Sequence, residues 1–172
     1  QSITKNNKMV KFDNLGGYEV VCIDEITGNK VVTKHKKKNI LKIWEADESW
    51  VLNKPGKPIS SKKDLFFEEE INFDTDFDED GKVGFVYETI DSDNLVLQKN
   101  QLGSVSIIDG NSNIYLKNKK DKNVYFTKGK WDLIGAETID EVNQAVWKNS
   151  GSGNLKLWTL DENWKYINES KV

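Results

Sequence analysis

Three alternating aspartates form the part of the chain whose residue types and spacing most directly indicate chemistry. Asp76, Asp78 and Asp80 are separated by single residues, and Gly81 follows at once. Carboxylates at this spacing repel one another unless a cation lies between them. The pattern matches positions 1, 3, 5 and 6 of a calcium-binding loop, in which position 7, here Lys82, offers its backbone carbonyl.

The remaining calcium ligands follow less directly from the pattern. An EF-hand carries a bidentate glutamate at position 12, whereas this chain has Tyr87 there and Glu88 one residue later. Closure of the ligand set is expected from Glu88, from a helix residue such as Glu70, or from water. Val83, at position 8, is expected to pin the loop to the core as a short strand. Hard oxygen ligands favour Ca²⁺ over a transition metal, and a solvated acidic turn without a cation is the alternative.

The single cysteine and single histidine restrict other kinds of chemistry. Cys22 and His35 are too few for a Cys/His zinc site. Cys22 lies in an apolar run, residues 18–23, which favours a small buried side chain over a catalytic thiolate. No pair of carboxylates flanked by aromatic residues stands out beyond the acidic loop, so the sequence gives glycoside hydrolysis no support. We therefore predict that the chain is not an enzyme.

The composition indicates a folded chain of one or two domains. The 172 residues are 37% hydrophobic, and the net charge is −3, which gives no overall attraction to nucleic acid or to an anionic membrane. No apolar run approaches the roughly 18 residues that would span a bilayer, and no signal peptide opens the chain. Because the first residue is Gln1 rather than Met, we expect an excised piece of a longer protein.

A tryptophan-containing motif occurs twice in the chain. LKIWEADESW, residues 41–50, and LKLWTLDENW, residues 155–164, share Leu, Lys, Trp, Asp, Glu and Trp in one register. Internal similarity of this kind is typical of repeat proteins. We therefore predict the end of a preceding repeat unit at residues 1–55 and one complete unit at residues 56–172.

The alignment of the two copies extends upstream of this motif. Residues 17–23 can be laid on residues 142–148, which places Cys22 at the position of Trp147. The first copy then carries a longer loop, residues 25–35, before its second strand. Each copy is predicted to form a β-hairpin, because apolar residues with a period of two flank a turn.

The predicted fold class is mainly β, a β-rich α+β fold of antiparallel strands and hairpins with one helix before the calcium-type loop. The helix signal begins at Ser61, which with Asp64 resembles a capping box, and it ends near Phe73. Phe66 and Phe67 are expected to pack from its apolar side against strands. Further strands are predicted between the two copies of the motif, at residues 83–90, 94–99, 104–108, 114–116, 124–127 and 131–136.

The six tryptophans admit two roles. Trp44 and Trp158 alternate with apolar neighbours along predicted strands, so at least some tryptophans face a core. Trp50 and Trp164, if exposed and coplanar, would instead stack on sugar rings. The second role would make the chain a carbohydrate-binding module.

The order of the motifs resembles the tryptophan-rich repeat domains of very large secreted bacterial surface proteins. The resemblance covers about residues 60–167, and residues 12–52 resemble the end of a preceding unit. Its most specific element is the run WDLIGAE. The motifs that carry it are the helix, Asp76-x-Asp-x-Asp-Gly-x-x-Gly84, Trp131-Asp-Leu-Ile-Gly-Ala-Glu137, Ala145-Val-Trp-Lys148 and Trp158-x-x-Asp161-x-Asn163-x-x-Tyr166.

This resemblance implies a tandem array, frequently beside calcium-binding hemolysin-type repeats, in an extracellular or cell-surface setting. The chain departs from the family pattern at Cys22, where a tryptophan is expected, at Trp164, where a glycine is usual, and in the enlarged loop of the first copy. We expect a calcium-stabilised structural or adhesion repeat module that holds Ca²⁺. The expected partners are neighbouring repeat units and a surface glycan or protein, without nucleic acid binding or membrane insertion.

Overall fold

The computed structural model confirms a mainly β fold with antiparallel sheets and one short helix. The chain divides into two compact units, residues 1–85 and 86–172. This division differs from the boundary near residue 55 that the repeat pattern predicted. The helix in the described part of the chain is too short and too polar to cross a membrane. The structure describes residues 4–5, 8–9, 15–25, 28–92 and 95–171.

The first unit contains a meander of strands followed by the helix. The elements are β1 (Thr4–Lys5), β2 (Lys8–Met9), β3 (Tyr18–Asp24), β4 (Lys30–His35), β5 (Ile40–Ala46), β6 (Leu52–Pro55), β7 (Ile59–Ser60) and α1 (Asp64–Phe73). Strand β5 lies between β4 and β6 in the sheet β3-β4-β5-β6, and β7 also pairs with β5. The short strands β1 and β2 pair with each other.

Strand β4 is covered on both faces. Val31, Val32 and Thr33 are all 0% exposed, and successive side chains of a strand point to opposite faces of the sheet. On one face Val31 joins a hydrophobic cluster with Trp44, Trp50 and Leu52. The β-branched residues of this strand therefore form the centre of the first unit.

The helix ends where the sequence predicted, but it begins later than Ser61. Its N-cap residue is Lys63, which has an extended backbone and no side-chain cap. The capping-box prediction was wrong because the Ser61 N–H donates to the carbonyl of Asn39, which holds this residue in the preceding turn. Phe66 and Phe67 are buried, as the apolar side of the helix requires.

The second unit contains two sheets. The strands are β8 (Tyr87–Asp91), β9 (Val96–Asn100), β10 (Val105–Asp109), β11 (Ser112–Tyr115), β12 (Thr127–Lys128), β13 (Trp131–Ile139), β14 (Val142–Asn149), β15 (Leu155–Leu160) and β16 (Tyr166–Lys171). The strand orders of the two sheets are β11-β10-β9-β8 and β12-β13-β14-β15-β16. One hydrophobic core contains Leu97 and Ile107 from the first sheet and Trp147 and Trp158 from the second.

Several predicted strand bounds shift in the structure. The strand predicted at residues 83–90 begins at Tyr87, and the one predicted at residues 124–127 is reduced to two residues, Thr127–Lys128. Residue 94, the predicted start of the next strand, lies outside the described residues. Val83 is 44% exposed and lies outside the strands. The prediction that it pins the acidic loop to the core was therefore wrong.

The meander β3 to β6 and the meander β13 to β16 have equivalent strand pairing. Val31 of β4 pairs with Trp44 of β5, and Ala145 of β14 pairs with Trp158 of β15. The sequence had aligned the two tryptophans correctly. The neighbouring strands correspond in turn, so β4 is the counterpart of β14 and β3 is the counterpart of β13.

The structure corrects the predicted alignment of Cys22. The first strand of each meander has its register shift next to this position, and beyond it Cys22 pairs with Val32 and Gly135 pairs with Val146. Cys22 therefore corresponds to Gly135 and not to Trp147. The alignment was wrong because residues 25–35 were predicted to be a loop, whereas β4 lies within them. Without β4, β3 was laid on β14, the second strand of the other meander, instead of on β13.

The turns after β5 and β15 are also equivalent. In the first, the Trp50 N–H donates to the Asp47 carbonyl at 2.9 Å, and the Asp47 carboxylate accepts two N–H groups of the turn at 2.9 Å each. In the second, the Trp164 N–H donates to the Asp161 carbonyl at 3.0 Å, and the Asp161 carboxylate again accepts two N–H groups at 2.9 Å. Both tryptophans have a φ of 59°, in the left-handed region that favours glycine.

Candidate functional site

The end of α1 and the acidic loop bring three carboxylates together. Glu70, Asp76 and Asp78 each offer one oxygen, and these oxygens lie within 4.8 Å of one another. Calcium ligands lie at about 2.3–2.6 Å from the ion, so two oxygens bound to one Ca²⁺ are at most about 5.2 Å apart. The spacing and the hard oxygen donors of this acidic cluster therefore fit a calcium ion.

Glu70 links the helix to the loop from a buried position. Its residue surface is 0% exposed. One carboxylate oxygen accepts the N–H groups of Phe77 at 2.9 Å and Asp78 at 3.2 Å, and the other accepts the Gly84 N–H at 3.0 Å. A single side chain therefore holds both ends of the loop.

The close approach of the loop to the helix requires glycine at position 84. Gly84 has a φ of 84°, and a Cβ added there would lie 2.5 Å from Cγ1 of Ile71. Side chains rarely adopt this backbone conformation. The glycine lets its N–H reach the Glu70 carboxylate.

Asp76 shapes the tip of the loop. Its Oδ1 accepts the N–H groups of Glu79 at 2.7 Å and Asp80 at 3.2 Å, and its Oδ2 accepts the Gly81 N–H at 2.8 Å. Asp78 accepts a weaker bond from the Asp80 N–H at 3.3 Å. An ionised carboxylate has about four lone-pair sites. These backbone bonds therefore leave acceptor capacity for a cation.

Two of the three carboxylates are electrostatically unfavourable in their ionised form. Burial raises the pKa of Glu70, although its hydrogen bonds to backbone N–H groups oppose this effect. Burial also raises the pKa of Asp78, and the neighbouring charges of Asp80 and Asp76 raise it further. The salt bridge at the loop joins Lys34 to Glu79, which lies outside the acidic cluster. A bound cation would offset both the burial and the repulsion that raise these pKa values.

Two of the other predicted ligands, Asp80 and Glu88, are not part of the acidic cluster. Asp80 is exposed, and its Oδ1 accepts the Lys82 N–H at 2.8 Å. Glu88 lies on β8 in the second unit, where it forms a salt bridge with Lys99 at 3.2 Å. Of the alternatives considered for closing the ligand set, Glu70 is the one that the structure places beside Asp76 and Asp78.

The two tryptophans that were the alternative candidates for stacking on sugar rings are buried. Trp50 is 8% exposed and Trp164 is 3% exposed. Trp50 belongs to the hydrophobic cluster of the first unit, and Trp164 belongs to the core of the second. The prediction of an exposed stacking pair was therefore wrong, because the turns direct both indoles into hydrophobic cores.

Cys22 and His35 do not form a thiol–imidazole pair in the sheet register. Cys22 is half-buried and pairs with Val32, whereas His35 pairs with Tyr18 and packs edge-on against its ring. The Thr75 hydroxyl lies 3.9 Å from the Cys22 sulfur. This placement gives no support to thiol catalysis.

A lysine among aromatic rings was not identified from the sequence. Lys156 Nζ lies 4.6 Å from the ring centre of Trp131 and 5.4 Å from those of Trp147 and Trp158. Glu169 forms a salt bridge with it at 3.7 Å. The signal was present in the duplicated motif, where a lysine precedes the first tryptophan by two residues and therefore shares its face of the strand.

One family model matches part of the chain. Residues 94–172 match the family model of the tryptophan-rich Synechocystis species C-terminal domain. This segment includes β14, β15 and the second tryptophan-containing turn, which confirms the tryptophan-rich character that the sequence indicated. Neither the curated proteins nor the solved structures gave a match.

Proposed function

We propose that the chain is a calcium-stabilised structural or adhesion module of a secreted or cell-surface protein. The observation that carries this proposal is the acidic cluster of Glu70, Asp76 and Asp78, whose oxygens approach within 4.8 Å of one another. Calcium there would neutralise carboxylates that otherwise repel one another. Its effect would be structural, because the cluster connects the helix to the loop.

A structural role is supported by the equivalence of the two meanders. They share strand order, the position of a β-bulge and a tryptophan in the left-handed position of one turn. Two copies of one design within a chain are typical of repeat proteins, in which each repeat contacts its neighbours. Neighbouring units of the parent protein are therefore the first proposed partners.

An extracellular setting agrees with the chemistry of the site. Calcium sites of extracellular modules have dissociation constants of about 10⁻⁴ to 10⁻³ M. Such a site fills in a calcium-rich medium. Calcium at 100 times its dissociation constant stabilises a fold by about 2.7 kcal/mol, which raises the melting temperature of a chain of this size by about 5 to 10 °C.

Calorimetry of metal-free protein, titrated with calcium and then with magnesium, tests the proposal. Calcium should raise the melting temperature, and magnesium should do so much less because it requires near-ideal octahedral geometry. Asp78→Asn should abolish the calcium response. Asp80→Asn, a matched change outside the acidic cluster, should retain most of it.

The melting temperatures without calcium provide a second test, in which Asp78→Asn has the opposite effect. Asp78→Asn should melt slightly above the unmodified protein when calcium is absent, because the substitution removes the charge whose pKa burial and repulsion raise. A melting temperature of the unmodified protein that does not respond to calcium would overturn the proposal. Equal loss of response in the two variants would instead assign Asp80 to the ligand set.

A further inference from the structure

Two pockets, named together the cleft and singly its openings, lie at the margin of the tryptophan core of the second unit. Lys156 and Glu169 line both of them. The smaller opening has a volume of about 180 Å³ and is also lined by Trp158 and Tyr166. The larger has a volume of about 550 Å³ and is also lined by Trp131. The larger volume falls within the range of small-molecule sites.

The charge of this cleft is opposite to that of the chain. Four lysines line it, Lys119 and Lys128 at the smaller opening, Lys171 at the larger and Lys156 at both, against the single carboxylate of Glu169. The chain as a whole carries a net charge of −3. This local excess of positive charge favours an anionic ligand.

The cleft also offers aromatic and amide groups. Trp131 and Tyr166 are half-buried, so each ring retains accessible surface. Asn118 lines the smaller opening and Asn154 the larger. An amphipathic ring beside amide donors and acceptors suits a ligand with both an apolar face and hydroxyl groups.

Contacts with the core fix the charged groups at the centre of the cleft. The side chain of Lys156 is 16% exposed, and its ammonium lies over the ring of Trp131 at 4.6 Å. Glu169 accepts the indole N–H of Trp158 at 3.1 Å. Both groups are therefore held in place before a ligand binds, which lowers the entropy cost of binding.

The first meander lacks part of this arrangement. Lys42 Nζ lies 4.2 Å from the ring of Tyr18, in the same relation as Lys156 to Trp131. Pro55, however, pairs with the tryptophan of β5 at the position that Glu169 occupies beside the tryptophan of β15. The lysine over a ring thus belongs to both meanders, whereas the added carboxylate is specific to the second.

We propose that this cleft binds an acidic saccharide, with the apolar face of a uronic-acid ring on Trp131 and its carboxylate among the lysines. The inference rests on the adhesion role in the proposed function, but it does not involve the acidic cluster. Sugar hydroxyls would bond to Glu169 and to the amides. A saccharide suits the cleft better than a nucleic acid, since the net charge of the chain repels an extended polyanion.

Isothermal titration with trigalacturonate, and with neutral galactotriose as its uncharged counterpart, tests this site. We expect saturable binding of trigalacturonate and at least tenfold weaker binding of galactotriose. Trp131→Leu and Lys128→Glu should each weaken trigalacturonate binding at least tenfold. Tyr18→Leu changes the equivalent ring of the first meander, and Lys62→Glu reverses an exposed charge elsewhere, so both controls should bind normally.

The outcomes separate this proposal from nonspecific attraction and from the calcium proposal. The proposed site would be refuted if Lys128→Glu and Lys62→Glu weakened trigalacturonate binding equally, or if Trp131→Leu bound trigalacturonate as tightly as the unmodified protein. If circular dichroism shows that Trp131→Leu does not fold, the comparison of Lys128→Glu with Lys62→Glu decides. Repeating the titration with calcium and with a chelator should give the same affinity. Absence of trigalacturonate binding refutes this inference alone, whereas absence of a calcium-dependent melting shift refutes only calcium stabilisation.

Discussion

Replacing Trp164 by glycine sets two effects of the turn against each other. Glycine would remove the strain of a left-handed backbone, which is about 1–2 kcal/mol for other residues. It would also remove an indole that is 97% buried, since only 3% of the residue is exposed. Truncation of a buried Phe or Trp to alanine costs about 3–5 kcal/mol. We therefore expect a net loss of about 1–4 kcal/mol, although glycine is the residue that the backbone favours.

The turn at Asn118 supplies a matched control. Asp121 occupies its left-handed position with the same φ of 59°, and its N–H donates to the Asn118 carbonyl at 2.9 Å. Its exposed side chain forms a salt bridge with Lys165 at 3.2 Å. Aspartate tolerates the left-handed region better than most residues, so glycine relieves less strain there than at Trp164. The exposed ion pair that it removes contributes at most about 1 kcal/mol. The two effects oppose each other, and Asp121→Gly should change stability by less than about 1 kcal/mol.

Urea unfolding followed by circular dichroism measures both variants without relying on tryptophan fluorescence. A midpoint that falls for Trp164→Gly and stays nearly constant for Asp121→Gly would support the argument. An increase in stability for Trp164→Gly would refute it, because backbone strain would then outweigh burial of the indole. An equal loss in both variants would show that glycine itself destabilises this type of turn.

Three further predictions concern the loop and the core. The pKa values of Glu70 and Asp78 are raised in the folded protein, so the stability of the metal-free protein should increase as the pH falls from 7 towards the pKa values of the unfolded chain. The increase in melting temperature produced by calcium should become smaller over the same range. Calorimetry at several pH values measures both effects. Gly84→Ala should cost more than Gly81→Ala in chemical unfolding, by about 1 kcal/mol or more, because both have a positive φ but only the first Cβ meets a neighbouring side chain. Trp147→Phe should cost less than about 3 kcal/mol in the same assay, because the buried indole N–H lacks a hydrogen-bond partner among the described residues.

The sequence was most informative where one local pattern determined the structure. The alternation of apolar and polar residues predicted the strands of the two tryptophan motifs, β5 and β15. The spacing of apolar residues predicted the helix up to Phe73. The aspartate spacing correctly placed Asp76 and Asp78 in a common cluster. These features depend on short-range periodicity, which a single sequence records directly.

The remaining features depend on long-range contacts. Cys22 was misaligned because residues 25–35 were predicted to be a loop, whereas β4 within them pairs with both β3 and β5. Trp164 was placed on the surface as one alternative, although its turn directs the indole inward. Glu70 lies in the acidic cluster because its buried carboxylate accepts the N–H of a residue 14 positions further along the chain. The periodicity of apolar residues does not predict such a contact.

The carboxylate of Glu70 has a consequence for the order in which the first unit opens. The amides of Phe77, Asp78 and Gly84 all donate to this one side chain. Their protection from exchange with deuterated solvent therefore depends on the last turns of the helix as well as on the loop. When that part of α1 frays, the three amides lose their common acceptor and exchange as a group, so two segments separated along the chain open as one cooperative unit.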